Sequence, residues 1–215
     1  MNNYCDCIHK LFNGIKRYNF CNFKKDKIPL NGIYILFEKG EFGHSGDRIV
    51  RIGTHTGQNN LLPRIRQHFI LKNKDRSIFR KNIGRCILNK NKDDYLNFWN
   101  LDLTTRKAKD EYLKSIDCKK QDEIEKEVTE YIQNHFSFIV FGVDDKEKRL
   151  ELETKIISTV SLCKECEKSQ NWLGKSSPIE KIKESGLWLV QGLWKEPLNE
   201  KDIEQLKLLI NKTPQ

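Results

Sequence analysis

Ile33-Tyr34-Ile35-Leu36-Phe37 is a continuous run of β-branched, aliphatic and aromatic residues opened by Gly32. It is too short and too stiff at χ1 to prefer a helix, so it predicts a buried strand. Gly40, Gly43, Ser45 and Gly46 then punctuate a turn. Arg48-Ile49-Val50-Arg51-Ile52-Gly53 reads as the returning strand of an antiparallel hairpin with a generous loop. Far along the chain, Ser137-Phe138-Ile139-Val140-Phe141-Gly142-Val143 is a second unbroken apolar run and predicts a central third strand.

Helical periodicity fills the rest. Ile8, Leu11, Phe12, Ile15 and Tyr18 predict a short amphipathic helix over 6–18. After the loop 54–60, a helix over 61–71 turns Leu62, Ile65 and Phe69 inward and stacks Arg64 and His68, at i and i+4, on a neighbouring face. A helix over 76–89 buries Phe79, Ile83, Cys86 and Ile87. Its other side carries Arg76, Arg80, Lys81 and Arg85 with no acid in 76–92, which predicts a basic stripe facing phosphate. Residues 91–134 are strongly charged and helical, with Tyr95, Phe98 and Trp99 in an early helix and Ile124, Val128, Tyr131 and Ile132 in a later one. A helix follows Asp144-Asp145 and runs to about 163. On it Glu153 shares a face with Leu150, Ile156, Ile157 and Val160, whereas Glu151 points with Lys155 and Ser158. A carboxylate on an apolar stripe is costly to bury alone, so Glu153 is the odd residue of its face. Pro178 begins a helix over 178–184 ended by Gly186, Leu187-Trp188-Leu189-Val190 predicts a further strand, and Asn199 opens a closing helix faced by Ile203, Leu206 and Leu209/Ile210.

The expected architecture is a compact α/β domain: a small three-stranded, mostly antiparallel sheet flanked by helices. Residues 1–30 form an N-terminal helical extension, 31–175 a core interrupted by the helical insertion 91–134, and 176–215 a C-terminal extension packed on that core.

Lys and Arg outnumber Asp and Glu, 39 to 30, and the formal charge of +9 points to a polyanionic partner. No apolar run is long enough to span a bilayer. Met1 to Cys7 lacks the apolar core of a secretory signal. Seven irregularly spaced cysteines argue against a disulfide framework and for a reducing, cytoplasmic setting. Cys163-Lys164-Glu165-Cys166 and the close-set Cys5 and Cys7 raise a zinc clip, against which ordinary reduced thiols are the default.

Gly32-Ile33-Tyr34, answered by Arg51-Ile52-Gly53 and then by Leu62-Pro63-Arg64-Ile65-Arg66-Gln67-His68-Phe69, resembles the catalytic core of the GIY-YIG nuclease family. The resemblance is close over 31–85 and looser over 136–175. It implies an endonuclease that hydrolyses phosphodiesters in DNA with Mg²⁺ or Mn²⁺, of restriction-like or stand-alone type. It places Tyr34 as the base that takes a proton from water and Arg64 at the scissile phosphate, with His68 holding phosphate or relaying a proton. Glu153, in Glu153-Thr154-Lys155-Ile156-Ile157, is then the metal ligand, and Asn171 the residue closing the site. Arg51 stands where the family has the second tyrosine, so Arg51 is expected on phosphate, and His55 as a substitute donor. One such cluster per chain means that double-strand cleavage needs a homodimer or two visits. Three alternatives stand beside this reading: a non-catalytic nucleic-acid-binding module, an RNA-directed enzyme, and a Glu153–Arg64 pair of purely structural use.

Overall fold

The computed structural model describes every residue except 1, 2, 21, 22, 24, 45, 214 and 215. In chain order its main elements are α1 (Tyr4–Asn13), β1 (Tyr18–Asn19), β2 (Gly32–Gly43), β3 (Gly46–Gly53), α2 (Leu61–Phe69), α3 (Ile78–Lys90), α4 (Leu96–Asn100) and α5 (Arg106–Tyr112). There follow α6 (Cys118–His135), β4 (Phe136–Gly142), α7 (Lys146–Ser161), α8 (Glu180–Ser185) and α9 (Glu200–Lys212). The strands form one antiparallel sheet in the order β1-β4-β2-β3.

β2 is therefore interior, and Tyr34 sits opposite Gly53 on one side and Val140 on the other. Its alternate residues divide the hydrophobic core in two, as the pleat of a strand requires. Ile33, Ile35 and Phe37 pack with Ile8 and Phe12 of α1, Leu152 and Ile156 of α7, and Leu206 and Ile210 of α9. Tyr34 and Leu36 face the opposite layer, with Ile65 and Phe69 of α2, Phe79 and Ile83 of α3, and Val128 and Ile132 of α6. Between the pairs Leu36–Arg51 and Phe37–Ile49 the register shifts, leaving Val50 as an extra residue on β3. That bulge keeps Val50, Arg51 and Ile52 all buried.

Four expectations need correction. The sheet has four strands, because Tyr18 leaves the predicted first helix and pairs with Phe138 as β1. α1 ends at Asn13, capped by Gly14, five positions short of the predicted end at 18. β2 continues through Gly40, which takes φ +88°, so of the predicted turn stretch only its end, where Gly43 pairs with Gly46, reverses the chain. Leu187 to Val190 is no strand; Trp188 N donates to Val50 O (2.8 Å) and the Trp188 carbonyl accepts from the Arg51 side chain, which tie it to β3 without a ladder. The helices after 144 and after 199 lie where expected, the last begun by a reciprocal capping box between Asn199 and Asp202.

The basic stripe of α3 is mostly interior. Arg80 is fully buried: its guanidinium meets Glu125 Oε2 of α6 at 2.6 Å and Thr129 Oγ1 at 2.7 Å. Lys81 is buried against Asp75 and the carbonyl of Leu101, and Arg85 is half-buried on Asn100 and Asn82. Of the predicted stripe only Arg76 is exposed. Insertion helices α4 and α6 cover the second face of α3, and Trp99 lies so close to Gly84 that a Cβ there would stand 2.4 Å from the indole. Removing one partner of a buried ion pair strands the other. Glu125→Ala is therefore expected to cost about 3–5 kcal/mol in urea unfolding followed by circular dichroism. A loss below about 1 kcal/mol would show that Arg80 finds water or another acceptor.

Candidate active site

Tyr34 is buried in the middle strand, and its hydroxyl lies over Gly53 of the neighbouring strand. A Cβ at position 53 would sit 2.2 Å from Tyr34 Oη, so only glycine fits opposite this tyrosine. The phenol is 2.8 Å from His68 Nε2, and His68 Nδ1 is 2.7 Å from Ser77 Oγ. His68 is fully buried. Burial first, and then the nearby charges of Arg51, Arg64 and Arg80, hold its imidazole well below the usual histidine range. A neutral imidazole with its proton on Nδ1 donates to Ser77 Oγ and leaves Nε2 to accept the Tyr34 proton. Ser77 also caps α3 by accepting from Arg80 N at 3.2 Å, which fixes the end of the relay.

Glu153, on α7, stands on the wall shared by two clefts. The first, of about 360 Å³, is lined by Thr54, His55, Asn60, Arg64, Gln67 and Leu150. The second, of about 420 Å³, is lined by Arg51, Ile78, Asn82, Gln191 and Lys195 among others. Burial pushes the Glu153 carboxyl up, opposed by Arg51, the Thr54 N–H, Arg64 and Arg149. The four cations and donors thus surround one carboxylate without forming an ion pair with it among the described residues. A Glu153–Arg64 pair is not made. Glu151 is bonded to Lys155 at 2.8 Å, the division of the two glutamates expected from helical phase.

Arg64 borders the first cleft, with its guanidinium steadied by Gln67 Oε1 at 2.9 Å and the Arg76 carbonyl at 3.0 Å. Arg51 is buried beneath the second cleft; it donates to the Trp188 carbonyl and lies over the Phe79 ring. Arg51 Nε and the neighbouring Asn82 Nδ2 are buried without a hydrogen-bond partner among the described residues. His55 is buried and its Nε2 accepts the Gly32 N–H at 3.3 Å, so it braces the start of β2 from the cleft wall. Asn171 is not brought in. It is exposed, borders neither cleft, and precedes Trp172, whose indole reaches Glu38, four residues along β2 from Tyr34. Arg80 and Lys81 are likewise removed from any phosphate-facing role by their burial, and Arg85 is engaged inside the insertion.

Sequence reasoning missed Ser77, Asn82, Gln67 and Arg149. Ser77 was legible only as a helix cap, and Arg149 as the i−4 neighbour of Glu153; Asn82 and Gln67 carry no local signal. Among the described residues, Glu153 is the one carboxylate on these cleft walls. A single half-buried oxygen donor in an open cleft fits a hard divalent ion that retains most of its water, and does not fit an ion caged by protein ligands.

A family model described as a GIY-YIG domain matches residues 2–215. No curated protein and no solved structure matches the chain.

The burial of His68 has a consequence for acid stability. Below about pH 6.5 an unfolded chain protonates this histidine, while the folded one does not. The unfolded state then binds more protons, so stability that is full above that value is lost as pH falls toward the folded value. His55, lowered by burial and by Arg149, adds in the same direction. One histidine sets a limit of about 1.4 kcal/mol per pH unit, and His68→Asn is expected to flatten the slope between about pH 6.5 and 5. An unchanged slope in urea titrations at each pH would mean that His68 takes up its proton inside the fold.

Proposed function

The chain belongs to the GIY-YIG family of endonucleases, and from that premise we propose that it hydrolyses phosphodiester bonds of DNA with a divalent cation held by Glu153. The observation that carries this reading is the Gly53–Thr54 backbone. On one side the Tyr34 hydroxyl lies over Gly53, and on the other Thr54 and Glu153 line the first cleft together, the Thr54 N–H favouring the carboxylate. Water activation and cation binding are thereby set on adjoining residues, with Arg64 beside them.

A phosphodiester entering the first cleft meets the Arg64 guanidinium, whose permanent charge and planar fork suit the oxygens of the pentavalent transition state. Its negative charge offsets Arg64 and Arg51, two of the cations that depress His68, and so raises the basicity of Nε2 when substrate is in place. An attacking water can then give its proton to Tyr34 Oη while the phenol passes its own to His68 Nε2. Ser77 holds the imidazole in the required tautomer throughout. When bound, the divalent cation supplies charge neutralisation at the phosphate and leaving oxygens. Arg51, in place of the family tyrosine, adds positive charge at the floor of the second cleft rather than a phenol.

A non-catalytic nucleic-acid-binding module is the second reading, favoured by the same Arg51 and by the near-complete burial of Tyr34. The proposal and this rival diverge on supercoiled plasmid. Wild type is expected to nick with Mg²⁺ and not with EDTA. Arg64→Ala is expected to lose about 10²–10³ in rate as the removal of a charge-stabilising donor, and Glu153→Ala at least as much. Tyr34→Phe and His68→Ala, which break one relay, are expected to lose about 10²–10⁴ each and little more together. Salt-sensitive DNA binding without nicking in wild type would favour the module. Cleavage that survives Glu153→Ala would mean that another group holds the cation.

A further inference from the structure

On the side of the sheet away from the Tyr34–His68 relay, four side chains from three separate segments converge. Cys5 comes from α1, His44 from the turn between β2 and β3, and Cys163 and Cys166 from the segment after α7. We propose that Cys5, His44, Cys163 and Cys166 bind one zinc ion, a closed structural site that clamps the N-terminal helix and the hairpin tip to the end of α7.

Two of the ligand spacings match the edges of a zinc tetrahedron, and the rest lie within reach of one. The four ligand atoms all lie within 4.8 Å of one another. Cys5 Sγ and Cys166 Sγ are 3.6 Å apart, and Cys163 Sγ is 3.5 Å from His44 Nε2. Zinc at about 2.3 Å from sulfur and about 2.0–2.1 Å from nitrogen places two sulfurs about 3.8 Å apart and a sulfur and a nitrogen about 3.6 Å apart. Three soft thiolates and an imidazole select zinc over hard ions, and four protein ligands leave no position for a reacting water.

The surroundings follow the pattern of a metal-bound imidazole. His44 Nδ1, the nitrogen away from Cys163, faces Glu165 Oε2 at 3.5 Å and Asp6 Oδ1 at 3.9 Å. Carboxylates on the outer nitrogen fix the tautomer and strengthen the ligand. Glu165 N donates to Cys163 Sγ at 3.4 Å, and Glu165 is itself held by Asn3. His44 adopts φ +53°, a backbone state rare outside glycine, which persists where the surroundings over-determine it.

Two nearby candidates are excluded by their contacts. His9 Nδ1 is on the Cys5 carbonyl at 2.8 Å and its Nε2 accepts the Ile49 N–H at 3.2 Å; these are shorter than its approaches to Cys5 Sγ (3.6 Å) and Cys166 Sγ (3.7 Å), so His9 borders the cluster rather than joining it. Cys7, the expected partner of Cys5, is exposed and outside the cluster. The C-x-x-C pair supplies half of the cluster, and the other half comes from an α1 cysteine and a hairpin histidine.

The test is metal content of the full chain, purified with reductant and without added chelator, by mass spectrometry. One zinc per chain is expected, and Co²⁺ exchanged into the chelated protein should show thiolate charge-transfer and tetrahedral d–d bands. Cys166→Ser and His44→Ala are expected to lose the metal and lower the melting temperature. Cys7→Ser and Glu153→Ala are expected to keep it, which separates this site from the cation of the clefts. His44→Cys should retain the metal and shift the cobalt spectrum toward an all-thiolate site, a readout that does not require the weaker variants to fold. Reduced wild-type protein that takes up neither Zn²⁺ nor Co²⁺, cobalt bands without thiolate character, or a Cys5–Cys166 disulfide in its place would overturn the proposal.

Discussion

Glu38 buries its carboxylate on the same face of β2 as Tyr34 and pairs with no cation among the described residues. Three neutral donors hold it: Tyr131 Oη at 2.5 Å, Trp172 Nε1 at 2.8 Å and Trp188 Nε1 at 2.8 Å. Burial drives its pKa up and these donors pull it back. A buried acceptor left unmet is costly, so these three side chains must arrive together. They come from α6 of the insertion and from two stretches after α7, which makes Glu38 the point where the additions to the sheet are tied to its central strand. The tie extends to the site. Trp188 packs edge-on to Phe79, Phe79 packs edge-on to His68, and the Trp188 carbonyl receives Arg51.

Charge is used in this protein chiefly to lock its layers. Arg80 with Glu125 is a buried pair joining α3 to α6, and Arg48 with Glu41, at 2.6 Å, is a buried pair across the β2–β3 hairpin. Lys74 and Lys81 share Asp75 under the insertion. The two Arg–Glu pairs cancel within themselves, so the surplus of +9 lies with the remaining cations. The cations left beside the clefts, Arg64 and Lys195 with Arg51 beneath, are few and concentrated around Glu153. That is the distribution expected when charge acts at one phosphate rather than along a backbone.

Replacement of the family tyrosine by Arg51 is accommodated by local structure. The bulge at Val50 turns Arg51 under α3, where the Phe79 face and the Trp188 carbonyl receive the guanidinium. The arginine is thus part of the packing that orients His68 as well as a charge near Glu153. Neither role requires the geometry of a phenol at this position.

What was readable from the chain was whatever depends on neighbours close in sequence. The β-prone runs became β2, β3 and β4, the capped periodic stretches became α2, α3, α7 and α9, and Glu153 stood out from Glu151 because helical phase alone separates them. The pairing of Tyr34 with Gly53 was not among these, because it depends on the bulge at Val50, without which Ile52 would stand opposite Tyr34. The rest was decided by contacts across the fold. The cations of α3 turned inward because Glu125 and Trp99 arrive from the insertion, and no scan of 76–92 contains them. Tyr18 became a strand because Phe138 presents an open edge. Asn171 was drawn away with Trp172 toward Glu38, and Cys5 met Cys166 rather than Cys7. Periodicity reports which side of an element is buried first; it cannot report what covers the other side, since that partner is chosen by the packing of the whole chain.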